Sequence, residues 1–169
     1  MNSKAGFENI DKLRFSAPRP VRTWIFWHRI EIDFFVDTTM PTFGFRRDNG
    51  DLINLPYITG TIDFSSTPPF LWIFTCFVPC RFSYSAVFHD EGYKHHYLVI
   101  NGSKTPVSRL FMDKLLNEMI PLEPDPGTKL EAWSYLKGVR WFGWLYWGSG
   151  DKPVEPVQKL DVSKYVLPS

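Results

Sequence analysis

A histidine followed directly by an aspartate, His89-Asp90, lies in the run Ala86-Val87-Phe88-His89-Asp90-Glu91-Gly92-Tyr93. A third acid, Asp63, stands upstream in Thr61-Ile62-Asp63-Phe64-Ser65-Ser66-Thr67-Pro68. A neutral imidazole takes a proton from water or a hydroxyl when a carboxylate holds its other nitrogen. On a helix, neighbouring residues point about a quarter-turn apart, so His89 and Asp90 cannot perform one task together. His89 shares a face with Ala86 at i−3 and Tyr93 at i+4. Asp90, facing another side, is of the type that binds a hard cation such as calcium. The competing reading has His89 and Tyr93 packed at a helix–sheet seam with their hydrogen bonds satisfied. Asp63 also has two readings. It caps the turn formed by the Ser and Thr residues that follow it, or it orients His89 or completes a cation site.

The elements that must carry these residues are legible in outline. Ile30-Glu31-Ile32-Asp33-Phe34 alternates apolar and charged residues, the period of a half-buried strand. Asp48-Asn49-Gly50-Asp51 holds an Asn-Gly step, a strong hairpin signal, joining a strand near 42–46 to one near 52–58. Pro56 points to an edge position for the second of these. The rest reads as mainly helical. A first helix from about Ser83 to Tyr97 carries His89. Asn101-Gly102-Ser103 forms a loop, and Thr105-Pro106 caps a second helix running to about Ile120. Thr128-Lys129-Leu130-Glu131 is a capping box that opens a third helix reaching about Trp147. The expected class is α+β: a small N-terminal antiparallel sheet packed with about three helices. Residues 1–20 read as an N-terminal arm, 21–147 as a single domain, and 148–169 as an extended C-terminal arm. Phe70 to Phe77 reads as a short buried segment, and Cys76 and Cys80 within and beside it as buried free thiols. His95 and His96 fall near the end of the first helix, where cations complement its dipole.

Three runs together resemble one family. They are Gly60-Thr61-Ile62-Asp63-Phe64-Ser65-Ser66-Thr67-Pro68, then Ala86 to Tyr93, then Ser108-Arg109-Leu110-Phe111-Met112-Asp113-Lys114-Leu115-Leu116-Asn117-Glu118-Met119. Their order looks like that of a tailed-phage and prophage domain of unknown function with T-D-F-x-S-x-P, H-D-x-x-Y and A-D-x-x-F motifs. The resemblance covers roughly Leu52 to Ile120. The H-D-x-x-Y helix followed by a second Asp-bearing helix is also similar, more distantly, to phospholipase A2-like domains. That likeness implies His89 as the base, Asp90 as a calcium ligand and Asp113 as the acid that steadies His89. The residues themselves leave Asp113 open, because Arg109, Asp113 and Asn117 recur at i, i+4 as the polar stripe of a solvated face.

The resemblance implies a phage protein, a virion or tail-associated structural component made in the host cytoplasm and packaged in the virion. The rival expectation is a phospholipase- or esterase-like hydrolase acting on envelope lipids through the His-Asp site, with calcium as cofactor. Composition bears on partners. Of 169 residues, 17% are aromatic, with seven Trp and fifteen Phe, more rings than one small core hides. Trp133, Trp141, Phe142, Trp144, Leu145, Tyr146 and Trp147 crowd the third helix, which reads first as a surface for other phage proteins or for self-assembly, together with the two arms, then as a core helix, and last as a membrane-surface anchor. A net charge of +1 without a basic stripe argues against nucleic acid. The longest apolar run, Phe70 to Pro79, falls well short of the ~20 residues a transmembrane helix needs.

Overall fold

The computed structural model describes residues 4–16, 19–24, 27–37, 39, 42–63 and 82–147, and they form an α+β fold of two antiparallel sheets and three long helices. The Asn49-Gly50 step turns the chain as its sequence suggests. Strands β5 (Gly44–Arg46) and β6 (Leu52–Asn54) pair antiparallel, with Phe45 opposite Ile53. The first sheet runs β1-β5-β6-β8-β9, where β1 is Gly6–Glu8, β8 Tyr97–Ile100 and β9 Ser103–Pro106. The second is organised on the long strand β4 (Trp27–Val36), which β2 (Leu13–Phe15), β3 (Arg19–Trp24) and β7 (Thr59–Asp63) all join. Ile32 and Phe34 of β4 are buried while Phe35 is exposed, the alternation expected of a sheet with one wet face.

Several expectations are corrected. Within the expected arm at 1–20, residues 6–15 instead supply β1 and β2. The apolar residues of this outwardly polar stretch are what dock it: the Phe7 ring packs on Phe43, Phe45 and Tyr84, and Leu13 is buried. Glu8 and Arg46 close the pairing with a two-point ion pair. Pro56 does not mark an edge strand. β6 lies in the middle of its sheet, and Pro56 stands two residues past its last residue, Asn54, so no ladder bond is lost. The Asn101-Gly102 step is not a simple loop but the turn of a second hairpin, with both residues at positive φ (50° and 78°) and Ile100 opposite Ser103. Thr105-Pro106 therefore belongs to β9, and Ser108 caps the following helix by accepting from the Phe111 amide at 3.2 Å. Residues 64–81, with Cys76, Cys80 and the Phe70–Phe77 segment, and the expected arm at 148–169 lie outside the described residues.

Helix α1 (Ser83–His95) lies against β7 and β8, α2 (Arg109–Met119) against α1, and α3 (Lys129–Tyr146) against α2. One apolar core joins both sheets to α1 and α2 through Phe34, Phe45, Ile53, Phe88, Met112 and Leu115. A smaller cluster of Phe82, Leu116 and Ile120 seats α3. The capping box of α3 is formed as expected, with Glu131 Oε2 accepting from the Thr128 amide and Thr128 Oγ1 from the Glu131 amide. α1 has no cap of its own at Phe82. A distant acid supplies it: Glu123, buried just past α2, accepts from the Ser85 amide at 2.6 Å and the Ser85 hydroxyl at 2.5 Å. At its other end α1 stops at His96, whose φ of 59° turns the chain into β8.

Burial pushes Glu123 up to about 7, outweighing the Ser85 bonds that favour its ionised form. A carboxyl raised in the folded state stabilises fully below its unfolded value of 4.5 and loses that contribution as pH rises through about 7. The loss is on the order of 3 kcal/mol for this group. Glu123→Gln keeps an acceptor for Ser85 without the charge. Urea unfolding at pH 5 and pH 8 should therefore show a smaller fall in stability for Glu123→Gln than for the parent protein.

Candidate functional site

The packing of α1 on α2 decides what surrounds His89. Gly92 faces Met112, and a Cβ at position 92 would lie 2.5 Å from the Met112 thioether. That close approach brings the residue after Met112, Asp113, to the His89 ring. His89 Nε2 lies 3.7 Å from Asp113 Oδ1, and Nδ1 lies 3.6 Å from Asp90 Oδ1. Both separations exceed hydrogen-bond length, so these are electrostatic contacts, and buried Nε2 has no hydrogen-bond partner among the described residues. Tyr93 supplies the close bond: its hydroxyl donates to Asp113 Oδ1 at 2.5 Å. The rings of His89 and Tyr93, one helical turn apart, pack with centroids 4.1 Å apart.

His89 is 6% exposed. The Asp113 side chain is 11% exposed and that of Asp90 21%, so the centre meets solvent on the Asp90 side. The solvated stripe read from Arg109, Asp113 and Asn117 is thus corrected at Asp113. The buried face of α2 runs through Met112, Leu115, Leu116 and Met119, and Asp113 sits on its border, covered by Tyr93 and His89. The sequence signal that could have found this is Tyr93, four residues after His89 and able to hold a buried acid. Asp63 closes β7 with its backbone opposite Glu31, and its side chain lies outside the described residues.

The electrostatics are those of a coupled pair. Burial alone would lower the His89 pKa, but the Asp113 and Asp90 carboxylates outweigh it and raise the imidazole above its usual value. Burial alone would raise Asp113, but the His89 ring and the Tyr93 hydroxyl outweigh it and hold the acid below the ordinary carboxylate range. Burial and the Asp113 charge both raise Tyr93, which stays a neutral donor.

Calcium does not fit the described donor set. It takes six to eight oxygens. Among the described residues no group of three or more His, Cys, Asp or Glu side chains gathers to hold a metal. The sequence leading into α1, residues 64–82, contains no glycine and so differs from the glycine-rich loop of the phospholipases. His95 and His96 do other work at the end of α1. His95 Nε2 lies 3.4 Å from the buried Glu91 carboxylate, and the His96 ring stacks on Trp147 and contacts its carbonyl oxygen at 3.0 Å. No described helix is long and apolar enough to cross a membrane.

Asp113→Asn removes the charge that faces Nε2. Followed by NMR, the His89 imidazole in that variant should titrate at lower pH than in the parent protein. An unchanged titration would mean that Asp90 alone raises the ring.

No family model matches this chain, and no curated protein or solved structure matches it either.

Proposed function

We propose that the chain is a component of a tailed-phage particle and that its His89 centre hydrolyses an ester bond. The phage assignment rests on the three motif runs around Asp63, His89 and Asp113. The chemistry rests on one observation: a buried histidine lies between two carboxylates, one of them held by a tyrosine hydroxyl. In this reading Asp113 steadies Nε2, which leaves Nδ1, on the wetter Asp90 side, to take a proton from water. That water attacks the ester carbonyl as the proton passes to Nδ1. The imidazolium, stabilised by Asp113, then returns the proton to the leaving alkoxide as the carbon–oxygen bond breaks. The products are a carboxylic acid and an alcohol. No step is routed through a metal, in keeping with the described donor set.

Purified protein should cleave soluble esters or phospholipid vesicles, and His89→Gln, folded by circular dichroism, should lose at least ~100-fold of the rate. Because the ring must be deprotonated and its pKa is raised, the rate should climb with pH through a midpoint above 6.5. Undetectable cleavage by the parent protein, with calcium and with a chelator, would remove the hydrolase reading.

The structural role has its own support. Trp133 is 56% exposed and Trp141 61% exposed on α3, with Lys137 over the Trp133 ring. Aromatic side chains presented this way suit attachment to other particle proteins. The protein should therefore copurify with intact phage particles at fixed stoichiometry, and its absence from purified virions would defeat that assignment.

A further inference from the structure

Helix α3 contains two interior glycines, Gly138 and Gly143, at positions where alanine is the better helix former. They stand in different surroundings. A Cβ at Gly138 would meet nothing within 4 Å. A Cβ at Gly143 would lie 2.6 Å from the Tyr93 hydroxyl oxygen and 3.3 Å from Cε1 of its ring. The missing side chain at 143 is therefore the space in which the Tyr93 hydroxyl sits as it donates to Asp113. One turn further on, Trp147 packs edge-on against the Tyr93 ring, with centroids 4.8 Å apart. Trp147 is itself held on its other side, stacked on His96 at 4.5 Å with its carbonyl oxygen 3.0 Å from His96 Nε2.

We infer that Gly143 and Trp147 are positioning residues for the His89 centre, holding the Tyr93 hydroxyl on Asp113 so that the carboxylate faces His89 Nε2. The inference rests on the proposed role of His89 as base, and it extends the centre to an element that contributes no group to the chemistry. What makes positioning necessary is competition. Arg109, one turn before Asp113 on the same helix, also attracts that carboxylate and helps to lower its pKa. Without Tyr93 in place, Asp113 is drawn toward Arg109 and solvent, and Nε2 loses its counter-charge. Tyr93 thus needs a fixed seat, and α3 supplies both its floor, at Gly143, and its side wall, at Trp147.

The test is NMR titration of the His89 ring in full-length protein carrying labelled histidine. The variants are Gly143→Ala, Trp147→Ala and Trp147→Phe, with Gly138→Ala as control and Asp113→Asn as reference. Gly143→Ala and Trp147→Ala should move the His89 titration down toward that of Asp113→Asn. Trp147→Phe, which keeps a ring against Tyr93, should stay near the parent value, and Gly138→Ala should match it. A merely structural glycine would leave the titration in place, so an unmoved or raised titration in both Gly143→Ala and Trp147→Ala overturns the inference. If Gly143→Ala does not fold, the two Trp147 variants decide alone. The titration is independent of turnover: if the parent protein cleaves no ester, the hydrolase reading falls while the positioning is still judged. Where cleavage is measured, Gly143→Ala should lower kcat about tenfold or more with KM little changed.

Discussion

The approach of α1 to α2 at Gly92 and Met112 is the constraint on which the centre depends. Met112 is fully buried, so a larger residue at position 92 would have to displace its thioether within the packed core. The same approach fixes how far Asp113 stands from His89. A wider helix spacing would admit water between the two groups and weaken an attraction that depends on their being desolvated. A narrower one is closed off by the core itself. The site geometry is in this sense a by-product of packing, with residues from the apolar core acting as spacers for polar ones.

Burying that many ionisable groups has a cost, and the protein meets it locally. His89, Asp113 and Tyr93 compensate one another. Glu91, also buried, has His95 and Lys94 within 4 Å, and Lys94 in turn donates to the Thr61 carbonyl, tying α1 to β7. Glu123 is treated differently. Among the described residues no cation pairs with it, and it uses Ser85 and the unfilled start of α1 instead, which is why its charge is the one most strongly disfavoured. Glu91 and Glu123, both buried, and the half-buried Asp113 thus show three ways of shielding a carboxyl group from water: a cation pair, a helix start and an aromatic hydroxyl.

Much of the frame was legible in the residues. The Asn49-Gly50 turn, the alternation across Ile32 and Phe34, the capping box at Thr128 and the span of α1 all follow from local chemistry, and the structure places them where that chemistry points. What escaped was what non-local pairing decides. Phe7 and Leu13 look unremarkable in a polar stretch until Phe43, Phe45 and Val36 are brought to meet them. Tyr97 to Pro106 reads locally as a helix end, a loop and a cap because Pro106 resembles a helix start more than a strand end. Asp113 looks solvated for a related reason: periodicity along α2 cannot register a tyrosine on another helix. The cap that Glu123 provides to α1 lay beyond local reading altogether, since 38 positions separate Glu123 from Ser85.

Among the described residues strand β9 ends the first sheet, and a sheet edge is where a strand from another molecule can be recruited. Its sequence works against that. Pro106 has no amide hydrogen to offer, and the exposed Lys104 folds its ammonium over the Tyr97 ring, 3.9 Å from the centroid, keeping a charge at the border. A border blunted in this way resists backbone zippering between copies, so any contact made there falls to side chains, where shape and chemistry can discriminate one neighbour from another.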